Sequence, residues 1–311
     1  MSQPVFAAQP YSGIATFGRV PFARNADGYD VAIVGVPYDG SVSYRSGTRF
    51  GPRAIREQSL LLWGYNNAQQ VAPFKTLKVA DLGDLDVVPP DIIATHREIE
   101  RAASEVVSTG SLLISLGGDH SISLPLLRAH AKKYGPVAVV HFDAHPDTWN
   151  SEYPNQPYSH GTPFRRAIEE KLIDTSAYIQ IGIRGPTNGP EDYLDAVALG
   201  ARMITLDEIR KVGVDAVVRE IHSKVGSRPM YVTLDIDAVD PAFAPGTGTP
   251  EVGGLTSYEM LQLVRGLKGL NGIGFDLVEM SPPYDPAGIT AILAANLVFE
   301  FLSLVALKKK L

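Results

Sequence analysis

Residues 136–147 read PVAVVHFDAHPD, and they carry the clearest signal for the fold of this 311-residue chain. The first part is a short apolar run with three valines, which is typical of a strand buried on both faces of a parallel sheet. The run stops at Asp143-Ala144-His145-Pro146-Asp147. Because an open α/β sheet has its ligand crevice at the carboxyl ends of its strands, this stretch predicts a buried strand with a functional site at its end.

Six further apolar runs and six segments of helical period accompany this stretch. The runs are predicted strands at residues 30–36, 111–118, 178–184, 202–206, 230–237 and 272–280. The helical segments are residues 51–62, 92–108, 124–134, 191–199, 215–225 and 256–267. Since strands and helices alternate, the sequence predicts a single-domain, three-layer α/β/α fold with a mostly parallel sheet. The predicted domain covers residues 1–311, with an N-terminal extension over residues 1–30.

The composition excludes several classes of site and partner. The chain has no cysteine, which rules out disulfide scaffolds, thiolate zinc sites, iron–sulfur clusters and cysteine nucleophiles. It has 28 basic and 34 acidic residues, and this formal charge of −6 argues against nucleic acid as the main partner. We find no secretory signal pattern and expect a cytoplasmic protein. The apolar stretch 290–307 contains Asn296, Glu300 and Ser303, so we expect a core helix there rather than a membrane span.

Three clusters of Asp and His lie at the ends of predicted strands. In extended chain, residues i, i+2 and i+4 point to one side, so the polar side chains within a cluster converge. One Asp-x-His or Asp-x-Asp pair is usually a solvated loop, but three such clusters at the ends of hydrophobic strands need a counter-charge. The predicted metal ligands are His120, Asp143, His145, Asp147, Asp235 and Asp237.

This donor set suits two metal ions. Six ligands exceed the need of one ordinary first-row ion, but they fit two ions that share bridging carboxylates. Oxygen-rich sites without thiols favour Mn²⁺ or Mg²⁺, and mixed His/Asp sites also accept Zn²⁺, Ni²⁺ or Co²⁺. A pair of such ions supplies hydroxide near neutral pH. The sequence therefore predicts hydrolysis at a polarised carbon or phosphorus centre.

Six longer motifs surround these clusters. They are GVPYDGSVSYRSGTRFGPRAIRE (35–57), GGDHS (117–121), DAHPD (143–147), SHGTPF (159–164), DIDAVDPAFAPGTGTPEVGG (235–254) and VEMSPPYD (278–285). Together they resemble the ureohydrolases, the family of arginase, agmatinase and their guanidino-acid relatives. The resemblance extends from residue 35 to the C-terminal helix, and SHGTPF and the stretch 240–254 resemble the agmatinase branch in particular.

The resemblance implies an arginase-like fold and two Mn²⁺ ions per chain. The ligands it assigns to one ion are His120, Asp143, Asp147 and Asp235. The ligands it assigns to the other are His145 and Asp237, completed by Asp143 and Asp235 as bridges.

The resemblance also implies three catalytic residues. His160, in SHGTPF, matches the histidine that shuttles protons at the mouth of the site, a role that suits an imidazole near neutral pH. Glu279 matches the carboxylate that binds the guanidinium, whose forked N–H donors a carboxylate can accept in pairs. Asp147 delivers the proton together with His160. Asp276 is expected to be structural, whereas His141 either supports the site or is an ordinary core histidine.

The implied enzyme is an agmatinase-like hydrolase that cleaves a C–N bond of a linear amidine, releasing urea and an amine. Agmatine to putrescine, a step of polyamine biosynthesis, is the preferred reaction. Guanidinobutyrase or another guanidino-acid amidinohydrolase is the alternative, and a non-catalytic scaffold subunit of a mixed oligomer is the alternative of another class. The resemblance also implies a homo-oligomer, trimer or hexamer, with no nucleic acid or membrane partner.

The loop 148–159 is expected to line the mouth and select the tail of the substrate. Glu152 in this loop would favour a cationic tail. Arg45 or Arg49, from the N-terminal motif, would favour a carboxylate instead. A third option is a narrow slot walled by Trp149, Tyr153 and Tyr158.

Overall fold

The structure, a computed structural model that describes residues 9–310, is built on one eight-stranded sheet. The strands are β1 (Val31–Val36), β2 (Val79–Asp84), β3 (Leu112–Gly117), β4 (Val137–Phe142), β5 (Ile173–Ile183), β6 (Arg202–Thr205), β7 (Met230–Asp235) and β8 (Gly272–Val278). Their order is β2-β1-β3-β8-β7-β4-β5-β6, and every neighbouring pair is parallel.

Helices cover both faces of this sheet. They are α1 (Gly51–Ser59), α2 (Pro73–Thr76), α3 (Ile92–Ser108), α4 (Ser123–Tyr134), α5 (Pro163–Glu169), α6 (Glu191–Ala198), α7 (Leu206–Val212), α8 (Val214–Val225), α9 (Ser257–Gly266) and α10 (Ile289–Lys309). One apolar core holds the inner sides of α1, α7, α8, α9 and α10, and a second core holds those of α3, α4 and α5. The predicted three-layer α/β/α fold is therefore confirmed.

All seven predicted strands are present, but the edge strand β2 was not predicted. Its sequence, VADLGD, has too few apolar residues for a buried-strand pattern. Asp81 and Asp84 are acceptable there because both pair with the Arg56 guanidinium from α1. Helices α2, α5 and α7 were missed as well, since four to seven residues are too short to show a helical period.

Helix α10 is apolar around its whole circumference, and it packs against α1, α9 and β8. It is long and apolar enough to cross a membrane, but 78% of its most apolar window is buried inside the protein. Glu300 in its middle accepts hydrogen bonds from Asn66 and Gln69 and pairs with Arg265. A buried charge with three polar partners is what a core helix requires, as the sequence analysis expected.

The described part of the N-terminal extension packs on this chain's own edge strand. Phe17 is fully buried, and its N–H donates to Asp81. Phe22 forms a parallel bridge with the same residue. Residues 1–8 of the predicted extension lie outside the described residues.

The strands β3, β8, β7 and β4 are consecutive neighbours in the middle of the sheet. Their carboxyl ends therefore lie side by side. These strand ends and the segments that follow them contain all three predicted ligand clusters and Glu279.

Candidate active site

The first group of ligand atoms surrounds the imidazole of His120, at the start of a short 3₁₀ turn after β3. Its Nδ1 lies 2.9 Å from Asp147 Oδ2, 3.1 Å from Asp143 Oδ2 and 3.3 Å from Asp235 Oδ2. All four residues are buried. Adjacent ligands of an ion with bonds of about 2.1 Å are about 3 Å apart, so this spacing matches one coordination shell.

The second group lies beside the first and shares one carboxylate with it. His145 Nδ1 is 3.0 Å from Asp237 Oδ2 and 3.5 Å from Asp143 Oδ1. Asp143 thus presents Oδ2 to the first group and Oδ1 to the second, which is the arrangement of a bridging ligand. The structure brings together all six side chains that the sequence analysis selected.

The chemistry of these donors fits a pair of divalent cations. Two buried atoms, His120 Nδ1 and Asp237 Oδ2, lie close to other ligand atoms but make no hydrogen bond of suitable geometry among the described residues. Burial, reinforced by the charge of Asp143, raises the pKa of Asp147 to about 7. Burial, together with Asp237 and Asp143, raises the pKa of Asp235 well above its usual range. Carboxylates crowded in this way need positive charge between them to stay ionised.

Glu279 reaches the site because the backbone turns sharply just after β8. Glu279 was predicted to lie within the strand, but β8 ends at Val278 and Glu279 has a φ of 61°. This left-handed conformation is costly for a residue with a side chain and is characteristic of functional positions. Asp147, in the first group, also has a left-handed conformation, with a φ of 49°. At both positions the backbone turns where a carboxylate enters the site.

The Glu279 carboxylate is almost fully buried, and only one of its two oxygens has hydrogen-bond partners. Its Oε1 accepts the His120 backbone N–H at 2.9 Å and lies 3.0 Å from His160 Nδ1. Its Oε2 has no partner among the described residues. Asp276, by contrast, accepts hydrogen bonds from Ser123, Tyr231 and Thr233 within the fold, in agreement with the structural role expected for it.

His160 sits between Glu279 and the N-terminal motif. Its Nε2 lies 2.8 Å from Ser43 Oγ and 3.8 Å from a Glu152 oxygen. Burial would lower the pKa of His160, but the charge of Glu279 and its hydrogen bond outweigh burial and raise that pKa to about 10. Glu279 therefore favours a protonated imidazole, whereas the backbone N–H of Ser43, which donates to Nε2 at 2.9 Å, favours a neutral ring with its proton on Nδ1.

Two contacts of this site were not predicted. Ser43 touches His160, and Thr233 Oγ1 lies 2.9 Å from His120 Nε2. Ser43 lies inside the motif 35–57, in which only Arg45 and Arg49 were assigned a role from the sequence. Thr233 precedes Asp235 by two residues in β7, so strand alternation could have placed it on the ligand side.

A cavity of about 180 Å³ opens above these groups. Its lining residues are Ser43, His145, Asp147, Trp149, Glu152, His160, Gly161, Asp235 and Thr249. None of them is Lys or Arg. The cavity is therefore lined by acidic, imidazole and hydroxyl groups, together with one indole.

Of the residues considered for the substrate tail, two line this cavity. Glu152 is held rigidly, because its Oε2 accepts from the Ser159 hydroxyl and from the Gly161 N–H. Trp149 is the second lining residue. Arg45 instead lies against the rings of Tyr44 and Tyr284.

The other three candidates make contacts within the fold. Arg49 pairs with Asp39. The Tyr153 hydroxyl donates to the carbonyl of Val42. Tyr158 packs against the second core.

Comparison with known proteins agrees with this geometry. Residues 29–303 match the model of the arginase family. Guanidinopropionase of Pseudomonas aeruginosa is 45% identical over 98% of this chain and 96% of that protein, and mitochondrial agmatinase of Gallus gallus is 44% identical over 96% and 87%. The structure of proclavaminate amidino hydrolase from Streptomyces clavuligerus superposes with a TM-score of 0.92 at 45% identity, covering 96% of this chain and 99% of that one. The resemblance carried by the sequence motifs is confirmed, and this chain belongs to the arginase family.

Proposed function

We propose that this chain hydrolyses a guanidino compound to urea and an amine at a two-metal centre. The observation that carries the proposal is the position of Glu279. Its buried carboxylate has one oxygen without a partner among the described residues, and the other oxygen accepts the backbone N–H of His120, a ligand of the first group, and lies 3.0 Å from His160 Nδ1. A guanidinium bound by this carboxylate would present its central carbon to the space between the two groups.

The proposed cofactor is a pair of Mn²⁺ ions. His120, Asp143, Asp147 and Asp235 would hold one ion, and His145 and Asp237 would hold the other, with Asp143 and Asp235 shared. When bound, two such cations supply an activated water near neutral pH. Manganese is proposed because four of the six donors are carboxylates.

The chain's own groups would handle the substrate and the protons. Glu279 accepts the forked N–H donors of the guanidinium and holds it in one orientation. The departing amine needs a proton, and His160 would donate it, since the charge of Glu279 and its hydrogen bond outweigh burial and raise the pKa of His160 to about 10. Asp147 faces the same cavity and completes the proton path.

We favour agmatine as the substrate, because the distal ammonium of its tail would pair with the Glu152 carboxylate. The amine product would then be putrescine. This places the reaction in polyamine biosynthesis. A guanidino acid is the second candidate, because a relative with 45% identity bears the name guanidinopropionase. A non-catalytic scaffold is disfavoured, since the chain keeps the complete ligand set together with His160 and Glu279. We further propose a cytoplasmic homo-oligomer, trimer or hexamer.

The test is urea release by Mn²⁺-loaded protein from agmatine, arginine, 4-guanidinobutyrate, 3-guanidinopropionate and guanidinoacetate. We expect urea from at least one member, with agmatine the best. Glu152→Gln should lower kcat/KM for agmatine and leave or improve it for the guanidino acids. A preference for an acid would replace agmatine as the substrate and keep the reaction type. Absence of urea from every member, with both metals bound, would contradict the proposed function.

A further inference from the structure

A line of buried hydrogen bonds runs from β5 to the bridging carboxylate of Asp143. Gln180 Nε2 lies 2.5 Å from the carbonyl of Pro146 and 2.9 Å from Tyr178 Oη. Tyr178 Oη is 3.1 Å from His141 Nδ1, and His141 Nε2 is 2.7 Å from Asp143 Oδ2. The side chains of His141, Tyr178 and Gln180 are all fully buried.

Strand pairing explains why these side chains meet. His141 on β4 is directly opposite Gln180 on β5, and Val139 is opposite Tyr178. Residues two apart on a strand share a face, so Tyr178 and Gln180 lie on the same side as His141. Asp143 continues that side just beyond the end of β4.

The direction of every bond in this line is fixed. The Pro146 carbonyl can only accept, so the atom of the Gln180 side chain nearest to it is the amide nitrogen. That nitrogen can only donate, and the Tyr178 oxygen must accept from it. At the other end, the Asp143 carboxylate can only accept, so His141 carries its proton on Nε2. In the neutral imidazole, which burial favours by lowering the pKa of His141, Nδ1 then accepts from the Tyr178 hydroxyl.

We propose that His141 is a positioning residue for the metal centre, held in one tautomer by Tyr178 and Gln180, and that it fixes the Asp143 carboxylate between the two groups of ligands. This inference rests on the two-metal centre of the proposed function. Asp143 serves both groups, so rotation of its carboxylate would disturb both at once. A donor on Oδ2 opposes that rotation and keeps Oδ1 directed toward His145.

The contacts of His141 also distinguish it from a histidine that only fills space. His130 is equally buried, but its Nδ1 bonds to the carbonyl of Leu126 within its own helix. It contacts no ligand of the metal groups. His130 therefore provides a matched control for the loss of a buried imidazole.

The experiment measures Mn²⁺ binding to the full chain by equilibrium dialysis and by electron paramagnetic resonance titration. His141→Leu should raise the Mn²⁺ dissociation constant by about 10- to 100-fold, the usual effect of removing a hydrogen-bond partner of a metal ligand. Tyr178→Phe, which removes only a hydroxyl, should raise it less. His141→Gln should restore part of the affinity, because the Gln amide can reach the position of Nε2. His130→Leu should leave the constant unchanged.

Unchanged Mn²⁺ affinity in both His141→Leu and Tyr178→Phe would overturn this inference. An equal loss in His130→Leu would also overturn it, since the effect would then be general destabilisation. The readout does not depend on turnover. If the wild-type chain binds no metal, the proposed function itself fails, which is a distinct result.

Discussion

Replacement of Glu279 by Gln tests the substrate-binding half of the site. The Gln side chain keeps the length and can still accept the N–H of His120, so the fold and the metal ligands should be retained. What is lost is a negative charge that is 1% exposed to solvent. Removing one partner of a buried, hydrogen-bonded charge pair costs about 2–5 kcal/mol. At about 1.4 kcal/mol per tenfold change, kcat/KM should fall by about 30- to 4000-fold.

The assay is urea release over a range of substrate concentrations, with the metal content of each sample measured in parallel. Glu300→Gln is the matched control, because Glu300 is also a buried glutamate paired with a cation, but it lies on α10, where its partners are Asn66, Gln69 and Arg265. The control should unfold at a lower temperature and keep its kcat/KM. Wild-type kcat/KM in Glu279→Gln, with two metals bound, would refute the assignment of Glu279 to the guanidinium.

Three further predictions concern the metals, the acid and the pH dependence of stability. Asp235→Ala should abolish two-metal occupancy, and unchanged metal content by elemental analysis would remove Asp235 from the ligand set. His160→Asn should lower kcat by about 10²- to 10⁴-fold. The wild type should lose activity at high pH as His160 loses its proton, and the variant should not show this loss. An unaltered pH–rate profile would exclude His160 from the proton path. Burial, aided by Arg128, lowers the pKa of His96 to about 3, so the unfolded state binds more protons between pH 6.5 and 3 and stability falls as pH falls through that range. At pH 5 this difference in proton binding lowers the free energy of unfolding of the wild type by about 2 kcal/mol. Thermal unfolding should therefore show that His96→Leu loses about 2 kcal/mol less stability than the wild type between pH 7 and pH 5.

Features governed by local pattern could be predicted from the sequence. Apolar runs identified seven strands, because a strand buried on both faces must be apolar throughout. The ligands at the ends of β4 and β7 were found because they follow those strands closely. The extended chain expected there was wrong, since Asp237 lies in a 3₁₀ turn and Asp147 has a φ of 49°. The convergence of separate strand ends followed from the parallel topology.

Features governed by tertiary contacts could not be predicted in the same way. Strand β2 depends on the pairing of Asp81 and Asp84 with Arg56, a residue in another element. The orientation of Glu279 depends on a left-handed backbone conformation that no periodicity reveals. The contact between Ser43 and His160 joins positions 117 residues apart, and only the fold brings them together.

The central claim is that two metal ions, held by six side chains at the ends of neighbouring strands, enable this chain to hydrolyse a guanidino substrate. Its most direct test is a titration of metal-free protein with Mn²⁺, with urea formation and bound metal measured at each step. The account predicts that activity appears with the metal and reaches its plateau at two ions per chain. Full activity at one ion per chain, or activity without metal, would contradict it.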